Sequence, residues 1–208
     1  MNKDLNYLFE STLHIPSIKP YPQFFLCPAG YIGAGKSTVM RLLCEELSAI
    51  RIENDYARKL LRERDNHDSN HARALSKDFI LKYAELGYRV GIDANCAGPN
   101  RHASGSIEEI AIDLSIPIVW IHINPPEEFI IRKLKQYSID HPEETWLFKD
   151  GDHAVSRYYH WKERSHFENI DYAYEFDTSR SDINDQVAAA AVVIQRRFSA
   201  SDSDLKND

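Results

Sequence analysis

Apolar positions recur along this chain in two rhythms. Short apolar or β-branched runs predict buried strands, and apolar residues three or four apart predict helices between them. Gln23-Phe24-Phe25-Leu26-Cys27 is the first run, closed by Pro28. Val39, Leu42, Leu43 and Leu47 then mark a helix. Ala49-Ile50-Arg51-Ile52-Glu53 predicts a second strand, and Tyr56 to about Arg64 a second helix. Asp65 to Asn70 is polar and reads as a loop. Ala72, Leu75, Phe79, Ile80 and Tyr83 form the apolar face of a further helix, which Gly87 ends. Tyr88-Arg89-Val90-Gly91-Ile92-Asp93 predicts a third strand with an acid at its carboxyl end.

The same alternation continues. Gly98 to Gly105 reads as a loop, and Ile107, Ile110, Ala111 and Leu114 mark a helix. Pro117 to Ile123 is the strongest strand signal, ended by Asn124-Pro125-Pro126. Glu127 and Glu128 open a helix that carries Phe129, Ile130 and Leu134; acids are favoured at that end. Residues 137–153 read as polar and irregular around Trp146, Leu147 and Phe148, and 154–166 as helical. Asp171 to Asp177 alternates as a fifth strand, and Val187, Ala191, Ile194 and Phe198 predict a closing helix. The ends differ from this core. Residues 1–22 form an extension interrupted by Pro16, Pro20 and Pro22, with a short amphipathic helix around Leu5, Leu8 and Phe9, as a packing arm or a loose tail. Residues 199–208 are small and polar and predict a disordered tail. The fold class predicted is α/β, a sandwich about a parallel sheet with ligands at the carboxyl ends of its strands.

The chemistry begins after the first strand. Gly30-Tyr31-Ile32-Gly33-Ala34-Gly35-Lys36-Ser37-Thr38 fits G-x-x-x-x-G-K-[ST], the phosphate-binding loop, with strand before and helix after. Glycines let the backbone aim several N–H groups at one phosphate that a Cβ would obstruct. Lys36 supplies a cation for the β- and γ-phosphates, and Ser37 a hydroxyl for Mg²⁺. The following helix points its partly positive end at the same anion. Gly30, Gly33, Ala34, Gly35, Lys36, Ser37 and Thr38 are therefore the expected ATP-binding residues.

Two acids stand at the carboxyl ends of neighbouring strands. Asp93 is placed to hold Mg²⁺ with Ser37, directly or through water, and so to meet the substrate phosphates; otherwise it is a loop or capping acid. Asp55 follows the second strand and can accept the proton of an attacking hydroxyl, with Arg58 one turn on to hold a substrate anion. The bland alternative makes Asp55 an N-cap and Arg58 a solvated residue. Arg132, beside Lys133 and Lys135, is the expected cation on the transferred group, with Arg157 and Arg164 weaker candidates. His67 and His71 stand four apart but lack a third metal ligand.

Composition narrows the partners. The chain has 208 residues and a hydrophobic share of 43%, as in a soluble domain with room for a lid. Its 32 acids against 25 bases, a net charge of −7, argue against a broad nucleic-acid surface but not a local one. Cys27, Cys44 and Cys96 are far apart, with no Cys-x-x-Cys pair, so neither a zinc site nor a disulfide framework is indicated. Free thiols suit a reducing cytosol. With no secretory leader at the first residues and no apolar run long enough for a membrane span, the expected location is cytoplasmic.

From about residue 23 to 195 the chain resembles the P-loop kinases of the polynucleotide-kinase and zeta-toxin type. The likeness rests on the loop, on Asn54-Asp55-Tyr56-Ala57-Arg58, on Ile92-Asp93-Ala94-Asn95, and on Pro125-Pro126-Glu127-Glu128 followed by Arg132. It implies a three-layer sandwich, a five-stranded sheet ordered 2-3-1-4-5, and ATP as donor. It also implies Asp55 as base, Arg58 as ligand of the substrate's phosphate, Arg132 in a small helical lid, and Asp177-Thr178-Ser179 near the adenine. The expected layout is an extension over 1–22, a kinase domain over 23–198 with its lid at about 129–166, and a tail over 199–208. The expected activity is ATP- and Mg²⁺-dependent transfer of the γ-phosphate to a hydroxyl of a small, anionic molecule. A polynucleotide or nucleotide kinase, and a nucleotide switch with little turnover, are the alternatives.

Overall fold

Five short strands pair into one sheet: β1 (Phe25–Ala29), β2 (Ile50–Glu53), β3 (Val90–Asp93), β4 (Ile118–Ile123) and β5 (Tyr172–Phe176). A computed structural model of the chain describes residues 3–98, 101–142, 147–165 and 167–204. Trp146, residues 99 and 100 of the expected loop, and 205–208 of the expected tail lie outside these. The strand order is β2-β3-β1-β4-β5, as expected, and every pairing is parallel. Cys27 is opposite Trp120, and Glu53 is opposite Asp93 at the carboxyl edge.

β1 is buried along its whole length, as a central parallel strand must be. Its residues alternate between two cores. Phe25, Cys27 and Ala29 join Ile50, Ile52, Val90 and Ile92 on one face. Leu26, with Phe24 just before the strand, joins Val119, Ile121 and Ile123 on the other. The first core is closed by α1 (Lys3–Glu10), α3 (Asn54–Arg62), α4 (Ser69–Glu85) and α5 (Ile107–Asp113). The second is closed by α2 (Lys36–Glu46), α6 (Glu127–Asp140), α7 (Gly151–Lys162) and α8 (Ile183–Asp204). This is the three-layer α/β/α sandwich. Among the described residues no helix is long and apolar enough to cross a membrane.

Local chemistry sets the helix ends. Asp68 accepts from the Asn70 N–H at 2.8 Å, so α4 starts inside the stretch expected as loop. It stops at Gly87 (φ +84°), where the Tyr88 N–H returns to the Tyr83 carbonyl at 3.0 Å. Asp150 likewise caps the His153 N–H at 2.8 Å and starts α7 at Gly151, earlier than apolar spacing alone predicts. α6 runs on to Asp140, into the stretch expected to be irregular.

Both termini depart from loose tails. Leu5 and Phe9 are buried, with the Phe9 ring 5.0 Å from that of Phe79. Glu10 accepts from Lys82 at 2.5 Å and from the Tyr83 hydroxyl at 2.6 Å. Buried Arg89 donates to the carbonyls of Tyr21, Pro22 and Leu47 at 2.9–3.0 Å, tying the extension to the end of α2. The extension is thus a packing arm. At the other end, α8 continues through Asp204, so 199–204 is helical where disorder was expected. A helix nucleated on buried Val187, Ala191 and Ile194 propagates at one hydrogen bond per residue, and polar residues there do not stop it.

Candidate active site

The loop after β1 is shaped by close approach. A Cβ on Gly30 would sit 2.6 Å from the Ile123 carbonyl oxygen. On Gly33 (φ +80°) it would sit 2.8 Å from Leu134 Cγ of α6, and on Gly35 (φ +95°) 3.0 Å from Thr178 Cγ2. The last two conformations also disfavour any side chain. Thr178 donates its hydroxyl to the Ala34 carbonyl at 2.7 Å, pinning the loop to the segment after β5. A cavity of about 340 Å³ opens beside it, lined by Tyr174, Asp177, Arg180, Asp182 and Gln186.

Lys36 opens α2 and folds back across the loop. Its ammonium donates to the carbonyls of Gly30 and Tyr31 at 2.9 and 2.8 Å. Desolvation pulls its pKa down to about 8, against the opposing pull of Asp93 and Asp55. Ser37 donates to Asp93 Oδ1 at 3.1 Å. Asp93 is buried, and its other oxygen, Oδ2, accepts a hydrogen bond from Arg51 Nε at 2.8 Å and lies 2.7 Å from Arg51 Nη2 in an ion pair. The same Nη2 lies 2.8 Å from Glu53, whose carboxyl is pushed up by burial. A cavity of about 370 Å³ lies along Arg51, walled by Leu13 and His14 of the arm, Arg41 of α2 and Tyr56.

Asp55 occupies the first turn of α3, where the helix dipole favours an acid. It is not the N-cap: Glu53 holds that position, and the Asp55 carboxylate meets Arg58 Nη1 at 2.9 Å. Arg58 Nε is buried and makes no hydrogen bond. The parallel sheet thus gathers the loop, Asp93 and Asp55 at one edge, as their strand-end positions predict. Ala34 is buried beneath the loop, and Thr38 is exposed on the first turn of α2.

Arg132 is placed differently. Ile130 and Leu134 face the loop, so Arg132, two residues from each, points about 160–200° away at 3.6 residues per turn. It is exposed and lies over the Phe129 ring at 5.6 Å. Lys133 is the α6 cation whose charge reaches Lys36, depressing its pKa, and partial desolvation lowers the pKa of Lys133 itself. Arg157 is spent on the Leu147 carbonyl at 2.9 Å, and Arg164 on His160. His67 bonds to Arg62 and His71 to Asn66.

Arg51 carried no motif signal, and sequence reasoning passed over it. The cue was alternation: Ile50 and Ile52 take the core face, which leaves Arg51 and Glu53 on the face that Asp93 shares. Lys133, exposed like Arg132, was hidden because only the packing of α6 decides which of adjacent cations brings its charge within reach of Lys36.

A loop of this shape, at the carboxyl end of a central parallel strand and facing an acid one strand away, defines a P-loop NTPase. Matching residues 26–145 to the family described as an AAA domain agrees, and the chain belongs to that family. No match was found among curated proteins. Solved structures share the fold. The Mycobacterium tuberculosis APS kinase CysC, in complex with AMPPNP and APS, superposes with a TM-score of 0.58 at 14% identity, over 85% of this chain and 99% of that one. A gluconokinase from Sinorhizobium meliloti 1021 gives 0.55 at 11%, over 88% and 99%. A sugar kinase from Janibacter sp. HTCC2649 gives 0.51 at 14%, over 84% and 95%. At these identities the likeness is one of fold.

Proposed function

We propose that this protein is an ATP- and Mg²⁺-dependent kinase that transfers the γ-phosphate to a hydroxyl of a small, anionic acceptor, with acceptor residues of the polynucleotide-kinase and zeta-toxin pattern. The observation that carries the reading is the placing of Lys36, the Ser37–Asp93 pair and the Asp55–Arg58 pair at one sheet edge. The fold relatives above, all named as kinases, support it.

The residues present fit both groups. Gly33 and Gly35, at φ +80° and +95°, let the loop backbone take turns that side chains disfavour, and Ser37 and Asp93 offer the oxygen donors that Mg²⁺ prefers. Held there, Mg²⁺ would neutralise charge on the β- and γ-phosphate oxygens. The loop N–H groups and the dipole of α2 bind the phosphates. Lys36 exchanges its two carbonyl partners for phosphate oxygens, and its ammonium is held charged by that anion. Lys133 adds a second cation from α6.

Asp55 takes the proton as the acceptor oxygen bonds to the γ-phosphorus and the bond to the bridging oxygen of ADP breaks. Arg58, one turn along the same helix and with Nε unused, holds the anionic part of the acceptor. A long nucleic acid needs many phosphate contacts, whereas on α3 only Arg58 and Arg62, four residues apart, share a side, and Arg62 bonds His67.

The test is transfer of label from [γ-³²P]ATP into a fractionated metabolite pool, with Lys36→Ala as the blank. A labelled acceptor that disappears with the variant supports the reading. Tight ATP binding with no acceptor labelled would favour a nucleotide switch. Submicromolar binding of a single-stranded oligonucleotide with a steep salt slope would favour a polynucleotide kinase.

A further inference from the structure

We infer that Arg51 is a positioning residue for the metal–nucleotide site, acting through Asp93 on Ser37; the inference rests on the Mg²⁺–nucleotide reading above. The geometry is a chain of three groups. Arg51 Nε donates to Oδ2 of Asp93 at 2.8 Å, Nη2 of the same guanidinium stands 2.7 Å from that oxygen, and the Ser37 hydroxyl donates to Oδ1 at 3.1 Å. A carboxylate oxygen held by a charge-assisted hydrogen bond and a second guanidinium nitrogen in ion-pair contact cannot rotate away without giving up both. Oδ1 is thereby fixed toward Ser37. Because the Ser37 proton points at Asp93, its oxygen lone pairs turn away from the acid, free for a cation at the loop.

The residue type is specific. A guanidinium can deliver Nε and Nη2 to one oxygen while Nη2 also reaches Glu53 at 2.8 Å; an ammonium offers a single point of contact. The side chain of Asp93 is 4% exposed, so water cannot replace the fork. The influence of Arg51 on the loop passes through the acid. Partners that orient a metal's ligands in this way are typically worth about 10–100-fold in metal affinity.

The decisive variant is Arg51→Lys, which keeps the charge and removes the fork, so any shift reports geometry rather than lost charge. Binding of a fluorescent ATP analogue is titrated in EDTA and then across a Mg²⁺ series. The EDTA affinity should stay within about twofold, because loop N–H groups and Lys36 supply it, while half-saturation by Mg²⁺ should rise about tenfold. Glu53→Gln, which leaves the Arg51–Asp93 fork in place, should leave Mg²⁺ half-saturation unchanged. Melting temperatures of all three proteins accompany the titrations. An unchanged Mg²⁺ half-saturation in Arg51→Lys, or an equal loss with and without Mg²⁺, overturns the inference and leaves the kinase reading intact. An unaltered protein whose nucleotide affinity ignores Mg²⁺ overturns the metal reading, and this inference with it.

Discussion

Lys36 should make the nucleotide-free protein less stable at neutral pH than at alkaline pH. Folding lowers its pKa from 10.5 to about 8, chiefly by desolvation. A fall of that size corresponds to about 3 kcal/mol at 1.36 per decade. Lys36 keeps part of its surface in solvent, and two carbonyls receive its protons, so screening reduces the expected effect to about 1–2 kcal/mol. The sign follows from proton counts. Between pH 8 and 10.5 the unfolded chain holds the proton and the folded chain has shed it, so stability rises with pH. Below pH 8 both states are protonated and the full penalty applies. Lys36→Met lacks this titration. Urea unfolding of both proteins without nucleotide, at pH 7.5 and pH 10, gives two differences in ΔG. Relative to the variant, the unaltered protein should gain about 1–2 kcal/mol between those pH values, while all other titrations cancel. A difference that stays constant with pH would show that the ammonium is not desolvated, and that Lys36 does not lie folded back across the loop in solution.

Other outcomes are equally accessible. Asp55→Asn should lower kcat by about 10²–10⁴ with ATP affinity nearly intact; because its exposed pair with Arg58 contributes less than about 1 kcal/mol, urea unfolding should scarcely change. A full kcat in that variant would reduce Asp55 to a helix-dipole acid. Gly91→Ala would drive a Cβ onto Cys44 Sγ and to 3.1 Å from Met40 Cε, lifting α2 off β3; calorimetry should show a loss of about 1–3 kcal/mol. Phe9→Ala should cost about 3–5 kcal/mol in denaturant unfolding, since its ring is buried between α3 and α4. A change under about 1 kcal/mol would make the arm dispensable.

The strand ends and the phosphate loop were legible in the sequence because each follows from a local rule, and the sheet order was implied by the resemblance to P-loop kinases. Apolar runs give strands, and the loop's glycines stand at fixed spacing. What was not legible depended on one element packing against another. Arg132 and Lys133 are neighbours in sequence, and only the seating of Ile130 and Leu134 against Gly33 decides which brings its charge within reach of Lys36. The role of Arg51 required knowing that β2 and β3 are adjacent in register, so that Glu53 and Asp93 stand side by side. The longer α8 was missed for another reason. Composition describes a free segment, whereas this one extends a helix already anchored in the core.

The bond between Thr178 and Ala34 has a bearing on how the protein is made. It joins positions 144 residues apart, and β5 and α8, which flank Thr178, pack on β4 and α2. A ribosome delivers the chain from its amino end, so every loop residue from Gly30 to Thr38 emerges long before the hydroxyl that braces the loop. Residues 26–145 hold all of the recognisable loop motif, including the Ala34 carbonyl, but not the Thr178 hydroxyl that braces it. Nascent chains halted before Thr178 therefore carry the full loop motif without the hydroxyl that pins it to the segment after β5.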